Sequence, residues 1–325
     1  MLLHKLFKRN RSKAHLLFAC TLLILGQLSP QKVSAQTDMD AIWMNKNQFC
    51  AGFIYTHSAW ENYWEGTLKR KNENLGTVSN QSMMFMANYG IRNNLNVMVG
   101  LPYVWTKASA GTLRGLKGLQ DLSLNVKWKP ATFKFGKNKL ALILVGGVST
   151  PSNDYVIDFQ PLSIGLGSTN LTGRIMVDYL RNKIFATASA AYVLRSNVNI
   201  DRTSYYDTEL HYTDEVAMPD AANYQLRAGY RGKYLIAEAL LSNWTTLGGF
   251  DITRNNMPFP SNKMNATSIG VNLKYTLPVH TNLSVLAGVN QVIAGRNMGQ
   301  STAINGGIFY AFYFSKKSKP VKTNQ

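Results

Sequence analysis

From Cys50 to Phe314 the sequence repeats one unit, about ten to fourteen residues of alternating character closed by a Gly, Asn or Pro break. Period-two alternation puts one set of side chains on each face of a strand. In 119–129 (LQDLSLNVKWK), Leu122, Leu124, Val126 and Trp128 share one face, and Asp121, Ser123, Asn125, Lys127 and Lys129 share the other. In 221–232, Tyr224, Leu226, Ala228 and Tyr230 oppose Asn223, Gln225, Arg227 and Arg231. A chain written this way either stacks its strands as a sandwich or closes them into a barrel.

The breaks decide between the two. Short ones fall at Arg92-Asn93-Asn94, around Pro130, at Arg181-Asn182-Lys183, at Arg231-Gly232-Lys233 and at Val279-His280-Thr281-Asn282. Long ones fall near 67–77, 107–117, 151–168, 198–220, 247–263 and 297–302, alternating with the short. Outer-membrane barrels have short periplasmic turns and longer extracellular loops. The pattern therefore predicts an all-β fold: a transmembrane antiparallel β-barrel of about twelve strands, with short periplasmic turns and long extracellular loops. Running the strands alternately outward and inward sends Trp60, Trp64, Tyr103, Trp105, Tyr192, Tyr224 and Trp244 to the outer end. Tyr89, Trp128, Tyr179, Phe185, Tyr230, Tyr234, Tyr275 and Phe312 go to the inner end. Amphipathic rings favour the headgroup level, which gives a barrel two aromatic girdles. Composition agrees. Charged residues are 16% of the chain, against about 25% in a soluble domain.

The N-terminus has the layout of an export signal. Lys5, Lys8, Arg9, Arg11 and Lys13 precede an apolar run from Leu16 to Gly26, and Val33-Ser34-Ala35 stands before an expected cleavage at Gln36. The expected organisation is a signal peptide at 1–35, a periplasmic segment at 36–49, the barrel at 50–314 and a basic periplasmic tail at 315–325. The formal charge is +18, but the signal carries six Lys and Arg and no acid, so the exported chain holds +12. Four of those charges are Lys316, Lys317, Lys319 and Lys322 of the tail. The barrel body is thus mildly basic, and nucleic acid is not an expected partner. Cys20 leaves with the signal, so Cys50 has no cysteine to pair with.

Catalytic and cofactor motifs are mostly missing. There is no His-Glu-x-x-His, no zinc-type cysteine pair, no Gly-Lys-Ser/Thr phosphate loop and no Gly-x-Ser-x-Gly elbow. No cofactor, metal site or catalytic residue is assigned. His57 and Ser58 with Glu61 form the one set that suggests a hydrolase, since a triad needs an acid to orient its histidine. Asp207, Glu209, His211 and Asp214 crowd one long loop and read as a solvated acidic stretch. Alternation sends Met84, Met86 and Met98 to the lumen beside Asn96, and pliable thioethers accept irregular apolar ligands. The remaining lumen-lining candidates are charged: Lys127, Arg174 and Arg227 against Asp121, Asp178 and Glu238. With Arg231 the interior is nearly balanced and slightly basic, which predicts weak anion preference. Val97 should face lipid and Asn96 the lumen.

Two further motifs suggest a family. The run Gly90 … Leu95-Asn96-Val97 … Gly100-Leu101-Pro102-Tyr103, followed by Gly118-Leu119-Gln120-Asp121-Leu122 … Lys127, resembles the outer-membrane barrels of the MetA-pathway of phenol degradation family. Gln120 stands where that family usually has Gly, and Ser149-Thr150-Pro151-Ser152-Asn153 follows in place of its Pro-Thr-Gly element. The resemblance implies a channel-like barrel akin to transporters of hydrophobic compounds. The expected function is passive uptake of small, hydrophobic solutes through a bacterial outer membrane. The alternatives are a non-transporting accessory or structural barrel of an envelope complex and, further off, an outer-membrane hydrolase. Expected partners are membrane lipid and a small-molecule solute, with an envelope protein on the accessory reading.

Overall fold

The computed structural model describes residues 37–252 and 258–314; the expected signal peptide and basic tail lie outside the described residues. Twelve long strands form one closed antiparallel sheet. They are β1 (Gln48–Trp60), β2 (Val78–Arg92), β3 (Leu95–Ala108), β4 (Asp121–Phe135), β5 (Asn138–Pro151), β6 (Asn170–Arg181), β7 (Ile184–Arg195), β8 (Ala221–Arg231), β9 (Leu235–Thr246), β10 (Asn265–Thr276), β11 (Leu283–Arg296) and β12 (Thr302–Tyr313). Each pairs with its neighbours in sequence, and β12 returns to β1 from Gln48↔Tyr313 to Ala59↔Thr302. Closure satisfies the backbone in a hydrocarbon setting, where an open edge would leave unpaired N–H and C=O groups.

Strand alternation governs which face each side chain takes. On β4, Leu122, Leu124, Val126 and Trp128 are 42%, 46%, 41% and 46% exposed on the outer wall, while Lys127 between them is fully buried. The short turns take tight conformations suited to their residues, with Gly136 at φ +59° and Asn182 at φ +57°. One expected break is misplaced. Pro130 does not end its strand: β4 runs on to Phe135, and a bulge between Trp128 and Ala131 absorbs the proline, which has no N–H to give the ladder. The turn falls instead at 136–137.

The two aromatic levels are present on the outer wall. Tyr55, Tyr103 and Trp105 cluster toward the long-loop end, with ring centroids 6.1 Å apart for Tyr55–Trp105 and for Tyr103–Trp105. Phe49, Tyr89, Phe312 and Phe314 cluster at the turn end. Trp60, Trp64 and Phe185 depart from the expected belts. Trp60 packs on Leu75, Val78 and Leu162, Trp64 is buried against Gly295, and Phe185 is buried on the inner wall. Trp244 pairs with the inward Asn223, so it too shares the inner face.

The long loops fold toward the barrel mouth. Leu162 is fully buried against Trp60 and Val78, and its carbonyl accepts a hydrogen bond of 2.6 Å from the inward Thr106 Oγ1. A second apolar cluster joins three loops through Ile157, Val198, Ile200, Val216, Met218 and Phe259. Tyr155 donates to Asp121 Oδ1 at 2.6 Å, tying its loop to the start of β4. Burial, and then the Asp121 carboxylate it donates to, push the Tyr155 phenol well above its ordinary value.

Candidate functional site

Within the segment expected to be periplasmic, residues from Thr37 onward make contacts that the sequence reading did not anticipate. Residues 37–46, here called the strap, enter the barrel and lie against its inner wall. Ala41 and Trp43 pack on the buried Ile143, Val145 and Met176, and the fully buried Met44 packs on Cys50, Met86, Phe309 and Ala311. The reason is local. Asn47, at φ +61°, turns the chain out of β1, and its N–H donates to the Gly90 carbonyl at 2.7 Å. A side chain at position 90 would collide with the strap, because a Cβ there would lie 2.0 Å from the Asn45 carbonyl oxygen. The strap can therefore hug the wall only where β2 carries glycine.

One lysine holds it. Lys127 is fully buried, and its ammonium donates to the carbonyl oxygens of Thr37 (3.0 Å), Ile42 (3.2 Å) and Asp40, and to the Asp40 carboxylate (3.3 Å). That carboxylate in turn accepts from the Thr37 N–H (2.7 Å), the Thr37 hydroxyl (2.9 Å) and the Ile42 N–H (2.9 Å). A buried ammonium with no acceptors would cost several kcal/mol, so the strap is what allows a charge to stand here at all.

The strap walls off a chamber of about 380 Å³ in the barrel interior. Thr37 to Asp40 and Ile42 form one side. Ile54, Met84, Met86, Met98, Leu286 and Phe309 form an apolar wall opposite, drawn from β1, β2, β3, β11 and β12. A narrower polar sector holds Arg227, Glu238, Asn272 and Lys274. There Arg227 is paired with Glu238, which also accepts from the Asn272 amide at 3.1 Å. The size suits a small ligand, and three thioethers give the wall the compliance to fit irregular apolar shapes.

The ten lumen candidates from the sequence take different positions. Met84, Met86, Met98, Arg227 and Glu238 border the chamber, and Lys127 holds the strap. Asn96 is fully buried opposite Lys127 in the β3–β4 pairing. Arg174 is buried in the wall, donating to Asn223 Oδ1 at 3.1 Å. Asp178 faces the turn end and is held by both terminal nitrogens of Arg231 at 3.0 and 3.2 Å. Asp121 stands apart from them, engaged under the loop by Tyr155. The strap itself escaped the sequence reading, as did Ile54, Leu286 and Phe309. Asp38 and Asp40 stand as two acids directly after the basic leader, but nothing in their spacing names the wall they meet.

The hydrolase candidate does not assemble. Strand alternation sends His57 to the outer face with Phe53 and Tyr55 and Ser58 to the inner face, while Glu61 is paired with Lys71 at 3.0 Å. In the acidic loop, His211 contacts Asp207 at 3.0 Å and stacks on Tyr205. Hydrogen bonds from Glu209 N–H and His211 outweigh partial burial and hold the Asp207 carboxyl below its ordinary value. Among the described residues no group of three His, Cys, Asp or Glu is placed to hold a metal ion.

The crystal structure of an outer membrane channel from Pseudomonas putida F1 has the same fold, with a TM-score of 0.67 and 13% identity over 86% of this chain and 100% of that one. The CymD monoaromatic hydrocarbon channel overlaps more loosely, with a TM-score of 0.37 and 11% identity over 85% of this chain and 90% of its own. A search of curated protein sequences found no match. The family model described as "Putative MetA-pathway of phenol degradation" matches residues 72–306, well over half of the sequence, and the chain belongs to that family.

Proposed function

We propose that this barrel is a passive channel of the bacterial outer membrane for small hydrophobic solutes, and that the strap gates it. The observation that supports this reading is the chamber, a compartment of about 380 Å³ with an apolar, methionine-bearing wall at the centre of a membrane-type barrel. A solute entering past the long loops would rest against Ile54, Met84, Met86, Met98, Leu286 and Phe309 before the strap yields. Its desolvation on that wall contributes at roughly 25 cal/mol per Å² of apolar surface. The Arg227–Glu238 pair beside the chamber offers both hydrogen-bond signs, which suits a neutral or amphipathic solute. The lumen filled by the strap favours a second reading, a non-transporting accessory barrel.

Two measurements separate them. Cells producing the protein should take up the hydrophobic fluorescent probe N-phenyl-1-naphthylamine faster than cells lacking it, and the purified barrel should show strap-dependent conductance in planar bilayers. Unchanged probe uptake together with no conductance, with or without the strap, would overturn the channel reading and leave the accessory one.

A further inference from the structure

At the turn end the lumen holds a second cavity of about 470 Å³, with a chemistry unlike that of the chamber. Lys129 of β4, Lys139 of β5, Lys183 in the turn before β7 and Lys233 in the turn before β9 border it. None of these four ammoniums joins an ion pair among the described residues. Among the described residues the one carboxylate at this cavity is Asp178, already engaged by Arg231 at 3.0 and 3.2 Å and by the Thr187 hydroxyl at 2.6 Å. It has little left to neutralise the lysines.

Two residues that border the cavity each carry a buried donor with no acceptor, the Trp43 indole Nε1 on the strap and the Arg231 Nε. Buried N–H groups are rarely left so, because each unmet donor carries its full desolvation cost. The cations are also positioned by aromatic faces. Lys129 lies 4.2 Å from the Trp43 ring centroid, and the Arg231 guanidinium lies 4.0 Å from that of Phe185. The result is a preformed cluster of positive charge at the turn end of the lumen, around a cavity sized for a small molecule.

We propose that this vestibule binds a small organic anion carrying two or more carboxylates. Four ammoniums outside any ion pair around one cavity call for more than one negative charge, and the free carboxylates of such an anion supply it. A neutral solute would leave the charges unmet. The site is separate from the apolar chamber, and its occupancy does not depend on conduction.

Citrate is a suitable probe, titrated calorimetrically into the refolded, detergent-solubilised full-length barrel at fixed ionic strength. The unmodified protein is expected to bind it, and Lys129→Gln combined with Lys139→Gln is expected to weaken binding by about tenfold or more. Lys129→Arg should keep the affinity, since it preserves both the charge and the stacking on Trp43. Lys107→Gln, at the other end of the barrel, should also leave it unchanged. Folding of each variant is checked by heat-modifiable gel migration, and the two single Gln variants carry the same comparison if the double variant does not fold. No binding to the unmodified protein, or equal affinity with and without Lys129 and Lys139, overturns the proposal. Because the readout is equilibrium binding, failure of the channel reading would leave this result standing, and the reverse holds too.

Discussion

Two compartments share this lumen, and the strap borders both. The chamber takes its apolar wall from β1 to β3, β11 and β12, where the inward positions are Ile54, Met84, Met86, Met98, Leu286 and Phe309. The vestibule takes its wall from β4 to β9, where the inward positions are Lys129, Lys139, Asp178 and Arg231. Both walls obey the same alternation, and both turn an apolar face to lipid. What differs is the chemistry of the inner set, which divides around the circumference of the barrel. Strand periodicity decides only which side chains enter the lumen. The arrangement of strands around the ring decides which of them meet, so a single barrel can hold an apolar compartment and a cationic one.

The largest expected effect comes from breaking the boundary between them. Lys127→Met would leave the Asp40 carboxylate buried without its cation, which costs about 3 kcal/mol and raises the undocked fraction of the strap roughly a hundredfold. Single-channel open probability should rise accordingly. An unchanged trace would show that the strap is not the barrier. Next comes the wall that both compartments share with lipid. Val97→Lys places a charge on the outer face at a cost of about 2–4 kcal/mol near mid-membrane and should lower folding yield in lipid vesicles. Its control belongs at the inward, half-buried Ser123 rather than at Asn96, because Asn96 is fully buried opposite Lys127 and a second ammonium there would be repelled. Equal yields for Val97→Lys and Ser123→Lys would refute the register.

The chamber is sharpened by Met98→Gln. Losing about 1 kcal/mol of apolar contact should slow uptake of the hydrophobic probe roughly fivefold while leaving ion conductance unchanged. The charged sector is tested by neutralising Arg174 and Arg227 together, which should shift the reversal potential from weak anion preference toward cations; a shift toward anions would contradict it. The smallest effect lies outside both compartments. Asp251 is held at about 2 by its hydrogen bonds to Arg296, with Asn297 adding to the shift. A depressed carboxyl contributes stability that is complete above its ordinary value of about 4 and is lost as pH falls toward 2. Probe uptake at pH 5 and pH 7 should therefore match, and a change between them would have to arise elsewhere.

Much of the architecture was legible because barrel strands obey a strict rule. Leu122, Leu124, Val126 and Trp128 alternate with Ser123, Asn125 and Lys127, and a one-residue error would have put the whole set on the wrong face. Loop lengths set strand direction, and so the two ends. Pro130 misled because a proline marks either a turn or a bulge, and only the pairing with β5 distinguishes the two. Trp60 and Phe185 misled for a related reason, since position along a strand sets depth and parity sets the face.

The sequence by itself determined the strand count, the face of most side chains and the apolar outer belt, because these depend on local periodicity. It did not determine where residues 37–46 would go. No pattern within that segment specifies a binding wall. Its place follows from a glycine at position 90 that lets it pass, a lysine at 127 that needs acceptors, and a hollow interior that only ring closure creates. The pairing of Lys129 with Trp43, and the division of the lumen into an apolar and a cationic compartment, likewise join residues far apart in the chain. Such contacts have no local signature, so tertiary structure alone decided them.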